Sequence, residues 1–434
     1  MTLIPRLDMA ALDAERLDSL TKGLPFGVSS MRIGDVGKQG WSLLDGDIPM
    51  PAAVIREQVL LANSAWMRDF TAANGLLIAP HGKTTMSPRL FDLQIADGAW
   101  AITVATVQQM QVCRRYGVKR VLFANQPVGR LAVDACMRAL REDEAFELYC
   151  LADSEAGLAF LAEAARRNPP PSANPLRILV EIGFEGGRTG TRSRAGALAL
   201  AERVAETPGL RLAGFECFEG VLPTPQAADG LIDDVAELAR IAIEEGLFPA
   251  GSPVVISAGG SAFFDRVGER FDRVSFSGPV LRVLRSGCYL THDSIGYAKA
   301  FERIQAETTL NLPAGGLKPA LEVWASVQSR PERGRAMLTM GKRDVGFDAG
   351  LPVPLGWYRP GSGMEKPQPM PAGHEVVALN DQHCHMVLPP DSPLEFGDLV
   401  GFGIGHPCTT FDRWSLLFLV DEAYRVTGAL KTYF

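Results

Sequence analysis

The chain has 434 residues, of which 47% are hydrophobic and 21% charged, a composition that suits a globular protein with a sizeable core. A net charge of −7 argues against a nucleic-acid partner. No apolar run reaches membrane-spanning length, and the opening Met1-Thr2-Leu3-Ile4-Pro5-Arg6 lacks the long apolar stretch of a signal peptide, so a cytoplasmic protein with no membrane partner is expected.

Seven scattered cysteines (113, 136, 150, 217, 288, 384 and 408) read as reduced thiols rather than a disulfide framework. Residues 1–50 are interrupted by glycines and read as an extension that wraps the body or lines its entrance. Pro51 to Ile55 reads as a strand. Glu57 to Asn74 reads as an amphipathic helix carrying Val59, Leu60, Ala62, Trp66, Phe70 and Ala73 at helical spacing, with Gly75 as its C′ residue.

From Leu76 onward, apolar runs alternate with helical stretches. Strands are expected at 76–80, 101–106, 120–125, 146–152, 176–183, 211–217, 253–258 and 280–290. Helices are expected at 88–97, 107–116, 129–141, 154–167, 194–207 and 226–246, with a shorter segment at 261–268. This alternation predicts an α/β protein built on a (β/α)8 barrel, although an open doubly wound sheet produces the same pattern. After residue 300 the pattern changes to short β-like runs at 321–327, 336–340, 375–378, 384–388, 399–403 and 415–420, which predict a second, mostly β domain. Pro352 to Gly373 is rich in proline and glycine and reads as a long surface loop. The expected division is 1–55 as extension and strand packing with the β domain, 56–300 as the barrel, and 301–434 as the β domain.

Five stretches carry the residues suited to chemistry. Lys83 follows the first strand in Pro80-His81-Gly82-Lys83-Thr84. That position suits either a lysine snorkelling from a strand end or an amine tuned to form a Schiff base. Glu181 to Gly190 is a Gly-rich loop that offers Arg188 to an anionic oxygen. Ser257-Ala258-Gly259-Gly260-Ser261 follows the seventh strand, where backbone N–H groups commonly cradle a phosphate. Arg285-Ser286-Gly287-Cys288-Tyr289 closes the eighth. Four of the six histidines lie after residue 373, and His406-Pro407-Cys408 offers imidazole and thiolate to a metal, with His383 and His385 as a competing pair.

Taken together and in order, these segments resemble those of the D-threonine aldolase and eukaryotic-type D-serine dehydratase family, pyridoxal-phosphate enzymes of the alanine-racemase fold type. The match runs over about residues 50–434. The resemblance implies that Lys83, beside His81, carries pyridoxal 5′-phosphate. It implies that Arg188 meets the cofactor's phenolic oxygen, and that Ser257, Gly259, Gly260, Ser261, Gly287 and Cys288 surround its phosphate. Arg285 or Tyr289 then lies near the pyridine ring. His406 and Cys408 become ligands of Zn²⁺ or another divalent metal, and His383 comes near the site. The sequence departs from the family at Thr85, where a histidine is common, at Ala79-Pro80 in place of Arg-Pro, and at Gln382-His383-Cys384 in place of Glu-His-Gly.

The implied activity is a lyase that deaminates D-serine to pyruvate and ammonia with metal-assisted loss of hydroxide. The alternative is an aldolase or dehydratase acting on D-threonine or D-3-hydroxyaspartate. A racemase needs no metal, and a non-catalytic pyridoxal-phosphate-binding protein usually lacks a β domain, so both fit less well. The partner is a small D-amino acid, and a homodimer is expected because this fold type completes its site across two chains.

Overall fold

The computed structural model describes residues 4–434. Eight strands form one parallel sheet: Leu77–Ile78, Ile102–Val104, Arg120–Phe123, Glu147–Ala152, Leu176–Ile182, Leu210–Cys217, Val254–Ala258 and Val280–Leu284. They are called barrel strands one to eight below. Each of strands two to seven pairs with the next in sequence, and strand eight pairs with strand one. Strands one and two close the ring, with Trp100 N donating to Ile78 O at 2.7 Å and Thr103 N to Pro80 O at 2.9 Å. The sheet is therefore a closed (β/α)8 barrel, not an open doubly wound sheet.

The helices between strands start where the sequence supplies caps. Thr106, Ser154, Ser193 and Thr224 each accept a backbone N–H three residues on. The eighth strand stops at Leu284, short of the expected run to residue 290, and Cys288–Leu290 forms a 3-10 turn instead.

Side-chain alternation sorts each strand into two faces. Ala79, Ala101, Leu122, Leu151, Leu179, Ala213, Val255 and Val283, one from each strand line, form a separate apolar cluster that fills the barrel interior. Their neighbours pack outward against the helices in the main core. Two residues further along five of these lines, at the C-terminal end, polar residues follow: His81, Thr103, Glu181, Ser257 and Arg285. This polar layer on an apolar floor is where barrel enzymes place chemistry.

The second sheet is antiparallel for the most part and draws on both ends of the chain. Ala52–Arg56 pairs antiparallel with Leu321–Glu332 and parallel with Leu416–Val420, so the chain contributes to this sheet before it enters the barrel. Leu399–Gly403 lies between Leu321–Glu332 and Val353–Tyr358. The last of these corrects the expectation of a loop over Pro352 to Gly373. Pro354 is tolerated because the register shifts between Pro354 and Gly356, and Gln368–Pro369 adds a further pairing. Val426–Lys431, not foreseen as a strand, pairs with Leu416–Val420.

The N-terminal segment buries Leu12, Leu17, Leu24, Ile33 and Val36. It is tied to the barrel by Arg6 to Asp92, Arg89 to Asp13 and Arg115 to Glu15, and to the last strand by Lys431 to Glu15. No helix among the described residues is long and apolar enough to cross a membrane.

Candidate active site

Lys83 sits in the 3-10 turn Gly82–Thr84, directly past strand one. Burial pushes its amine below the ordinary lysine range. The Cys408 and Cys288 thiols pull it back, and the Arg188 and Arg285 guanidinium groups reinforce the drop. A lysine so placed spends more of its time neutral than a solvated one. His81 is pushed well below its usual value by burial and by the cations of Lys83, Arg285 and Arg188, and its Nδ1 is buried without a partner.

Gly287 brings the loop after strand eight onto this turn. A Cβ there would stand 2.6 Å from the His81 carbonyl oxygen, so only glycine allows the approach.

Arg285 crosses the barrel mouth beneath this turn. It is 3% exposed, donates from Nη1 to Ser257 Oγ at 3.0 Å and from Nη2 to the Cys217 carbonyl at 2.8 Å, and pairs with Glu216. Tyr289 goes elsewhere: it is buried beside Gln94 and Asp97, at the end of helix Pro88–Ala96. Of the two residues expected near a cofactor ring, Arg285 therefore faces Lys83 and Tyr289 does not. Arg188 is exposed and lies over the Phe218 ring at 4.8 Å.

The loop expected to cradle a phosphate is already engaged. Gly259 N donates to Glu219 Oε2 at 2.9 Å and Gly260 N to Glu219 Oε1 at 2.6 Å, while Ser257 Oγ donates to the Val283 carbonyl at 2.9 Å. Glu219 is fully buried, which raises its carboxyl above the usual range. The two glycine amides thus hold an anion, but that anion is the chain's own carboxylate. Ser261 follows, half-buried, beside Ser286. Sequence reading missed Glu219 because nothing in the spacing after strand six points it toward the strand-seven loop.

The β domain supplies the other wall. His406 caps the short helix Pro407–Phe411, whose proline at N1 favours that start. His406 Nδ1 meets Asp348 Oδ2 at 2.6 Å, and Thr409 Oγ1 donates to Asp348 Oδ1 at 2.9 Å. Cys408 Sγ lies 3.6 Å from Cys288 Sγ and 3.4 Å from Thr84 Oγ1. Contact with Cys288, His406 and Thr84 holds the Cys408 thiol well below its ordinary value, and the same contact with Cys408, together with Asp348, raises His406 to about 9.

Asp348 was not foreseen, since it lies 58 residues before its histidine. His383 is exposed at the turn between Glu375–Leu379 and Cys384–Val387, and His385 meets Asn380 Oδ1 at 2.6 Å, so neither joins Cys408.

A cavity of about 790 Å³ lies at the opposite end of the barrel beside Pro175, Gly209 and Arg211. The N-terminal ends of barrel strands serve stability rather than chemistry, so the Lys83 mouth is the better candidate.

A family described as "Putative serine dehydratase domain" matches residues 320–420. A D-threonine aldolase of Arthrobacter sp is 22% identical over 379 residues, covering 86% of this chain and 90% of that protein. Over most of its length the chain is thus similar to D-threonine aldolases, and over residues 320–420 to the serine dehydratase family. A D-threo-3-hydroxyaspartate dehydratase of Delftia sp. (strain HT23) is 28% identical over 252 residues, covering 56% of this chain and 62% of that protein.

Solved structures of similar proteins show the same fold. The D-threonine aldolase of Filomicrobium marinum superposes with a TM-score of 0.72 at 23% identity, covering 91% of this chain and 97% of that one. An alanine-racemase-like protein shares the fold as well. Two structures of a D-threo-3-hydroxyaspartate dehydratase carry a histidine-to-alanine and a cysteine-to-alanine change two positions apart, the cysteine variant in a metal-free form.

The groups that the family implies fit the residues present. A buried amine of lowered basicity, beside a cation-rich wall and a histidine with an orphaned nitrogen, suits a Schiff-base cofactor. His406 and Cys408 suit a divalent metal: one is thiolate-prone, and the other is oriented by a carboxylate as metal-binding histidines commonly are. Among the described residues no three His, Cys, Asp or Glu side chains form a ready metal cage.

Proposed function

We propose that the chain is a pyridoxal-phosphate-dependent lyase that acts on a D-3-hydroxy amino acid and removes its hydroxyl group. The observation that carries this reading is Cys408, presented by the β domain within contact of Thr84 and Cys288 next to Lys83. The expected preference for D-serine gives way to the broader class, because the named relatives act on D-threonine or D-threo-3-hydroxyaspartate.

Bound at Lys83, pyridoxal phosphate would withdraw electrons from the substrate's Cα, and a divalent cation on His406 and Cys408 would act as a Lewis acid toward the β-hydroxyl. Lys83 does the proton work. Its neutral form would take the substrate's α-proton, and burial together with Arg188 and Arg285 favours that form. Arg285, held from three sides, keeps its guanidinium in one place at the barrel mouth.

Ser261 and the backbone of Gly287 and Cys288 remain for the phosphate, since Glu219 takes the amides of Gly259 and Gly260. Asp348 holds His406 in one ring orientation, and a cation on His406 and Cys408 would displace the protons those groups carry.

Aldol cleavage is the second reading, favoured by the D-threonine aldolase that matches 86% of the chain. A second copy completing the site belongs to the same proposal. Val128 and Leu131, 77% and 79% exposed after strand three, offer apolar surface on the mouth side.

The test offers the loaded enzyme D-threo-3-hydroxyaspartate, D-threonine and D-serine, with and without a chelator. A keto acid that vanishes on chelation and returns with Zn²⁺ is expected. Glycine without keto acid moves the chain to the aldolases, and chelator-insensitive keto acid removes the metal role.

A further inference from the structure

Glu216 is 0% exposed and lies in strand six, inside the barrel. Simple alternation from Ala213, which faces inward, would turn residue 216 outward. The register between strands five and six shifts between Ile178 and Leu179, so that Leu212 pairs with Ile178 and Gly214 with Leu179. The extra residue reverses the alternation: Phe215 packs in the outer core and Glu216 faces in. A Cβ at Gly214 would stand 1.8 Å from the Val255 carbonyl, so glycine permits this shift against strand seven.

Thus turned, Glu216 meets the Arg285 guanidinium, and neither of its oxygens has another hydrogen-bond partner. A carboxylate is not required to fill space at an inward position; Ala213 and Val255 do that with apolar side chains.

We infer that Glu216 is a positioning residue: through its contact with Arg285 it sets both the place and the effective charge of the cation that faces Lys83. With Glu216 ionised, the pair is close to neutral. With Glu216 protonated, Arg285 stands as an uncompensated cation near Lys83 and His81.

The groups facing Glu216 agree with a titrating role. Glu181 on strand five is bound by Thr189 and Gln126, Glu219 by the amides of Gly259 and Gly260, and Cys217 is a buried thiol. Burial first, then the charges of Glu181 and Glu219, raise Glu216 to about 7, against the pull of Arg285. Protonation near neutrality therefore changes the field at the reacting lysine.

This inference rests on the cofactor reading above, so its test begins there. Borohydride reduction followed by peptide mass analysis should place the cofactor adduct on Lys83. The visible absorbance of the bound cofactor is then titrated from acid to alkaline pH in the wild type, in Glu216→Gln and in Glu216→Asp.

The wild type should show a transition near pH 7 that Glu216→Gln lacks and Glu216→Asp retains at a shifted pH. All three should hold one cofactor per chain. The kcat of Glu216→Gln should fall by about tenfold with little change in KM. A glutamine variant that keeps the wild-type transition, or loses activity only in proportion to lost folded protein, overturns the inference while leaving the cofactor reading intact. Absence of a Lys83 adduct in the wild type overturns both.

Discussion

The two walls of the candidate site are built differently. The barrel wall, Arg285 with Ser257, Glu216 and the Cys217 carbonyl, is buried and fastened to three adjacent strands. The β-domain wall, His406 and Cys408 on a five-residue helix, is half-buried and held by Asp348, whose side chain is 52% exposed. A group fixed by backbone-anchored bonds within a closed sheet keeps its place whether or not a ligand is present. A group fixed by one exposed carboxylate gains its final order from what it binds. The difference assigns the fixed position to the barrel and the exchangeable ligand to the β domain.

The largest effect expected is at Lys83, where the two walls meet. Lys83→Ala should lower turnover by more than about 10³-fold and abolish the borohydride-trapped adduct, with the melting temperature unchanged or raised because a buried amine is lost. Retention of a trapped adduct at another lysine would show that the strand-one turn is not the cofactor site.

Next come the β-domain ligands. Cys408→Ala should abolish metal retention through dialysis. Asp348→Asn, which only loosens the orientation of His406, should weaken metal affinity by about 10–100-fold while leaving cofactor content unchanged. Equal loss of cofactor and metal in Asp348→Asn would erase the contrast between the walls.

On the barrel side the expected effects are on stability. Gly287→Ala forces a Cβ to within 2.6 Å of the His81 carbonyl and should cost about 1–3 kcal/mol in denaturant unfolding, with weakened cofactor binding.

Glu216 gives a pH effect of definite sign. Its folded pKa, about 7, lies above the unfolded value of 4.5. Between these values the unfolded chain binds fewer protons, so this group lowers stability as pH rises through that window. Glu216→Gln should flatten that slope, as measured by unfolding at several pH values.

The smallest effect is at the N-terminal tie. Arg6 is 65% exposed, and Arg6→Ala should change stability by no more than about 1 kcal/mol even though it loses its pair with Asp92.

Much of this architecture is legible in the chain itself. The eight apolar runs, the helices between them and the Ser or Thr caps are local features, and each maps to an element of the barrel. Alternation from Ala79, Leu179, Val255 and Val283 turns His81, Glu181, Ser257 and Arg285 into the mouth, because a strand repeats every two residues. Lys83, His406 and Cys408 stand out in the sequence through the family resemblance, since by themselves they also suit a snorkelling lysine and a packed histidine beside a free thiol. What the sequence leaves open depends on a partner distant in the chain. Val353–Tyr358 becomes a strand only because Leu399–Gly403 offers an edge that tolerates Pro354 at a register shift. Asp348 reaches His406 across 58 residues, and Glu219 reaches the amides of Gly259 and Gly260 across 40 and 41. Glu216 faces Arg285 only because pairing with strand five inserts an extra residue before it. Local periodicity determines which residues alternate. The register between strands, set by packing of the whole barrel, decides which of them meet.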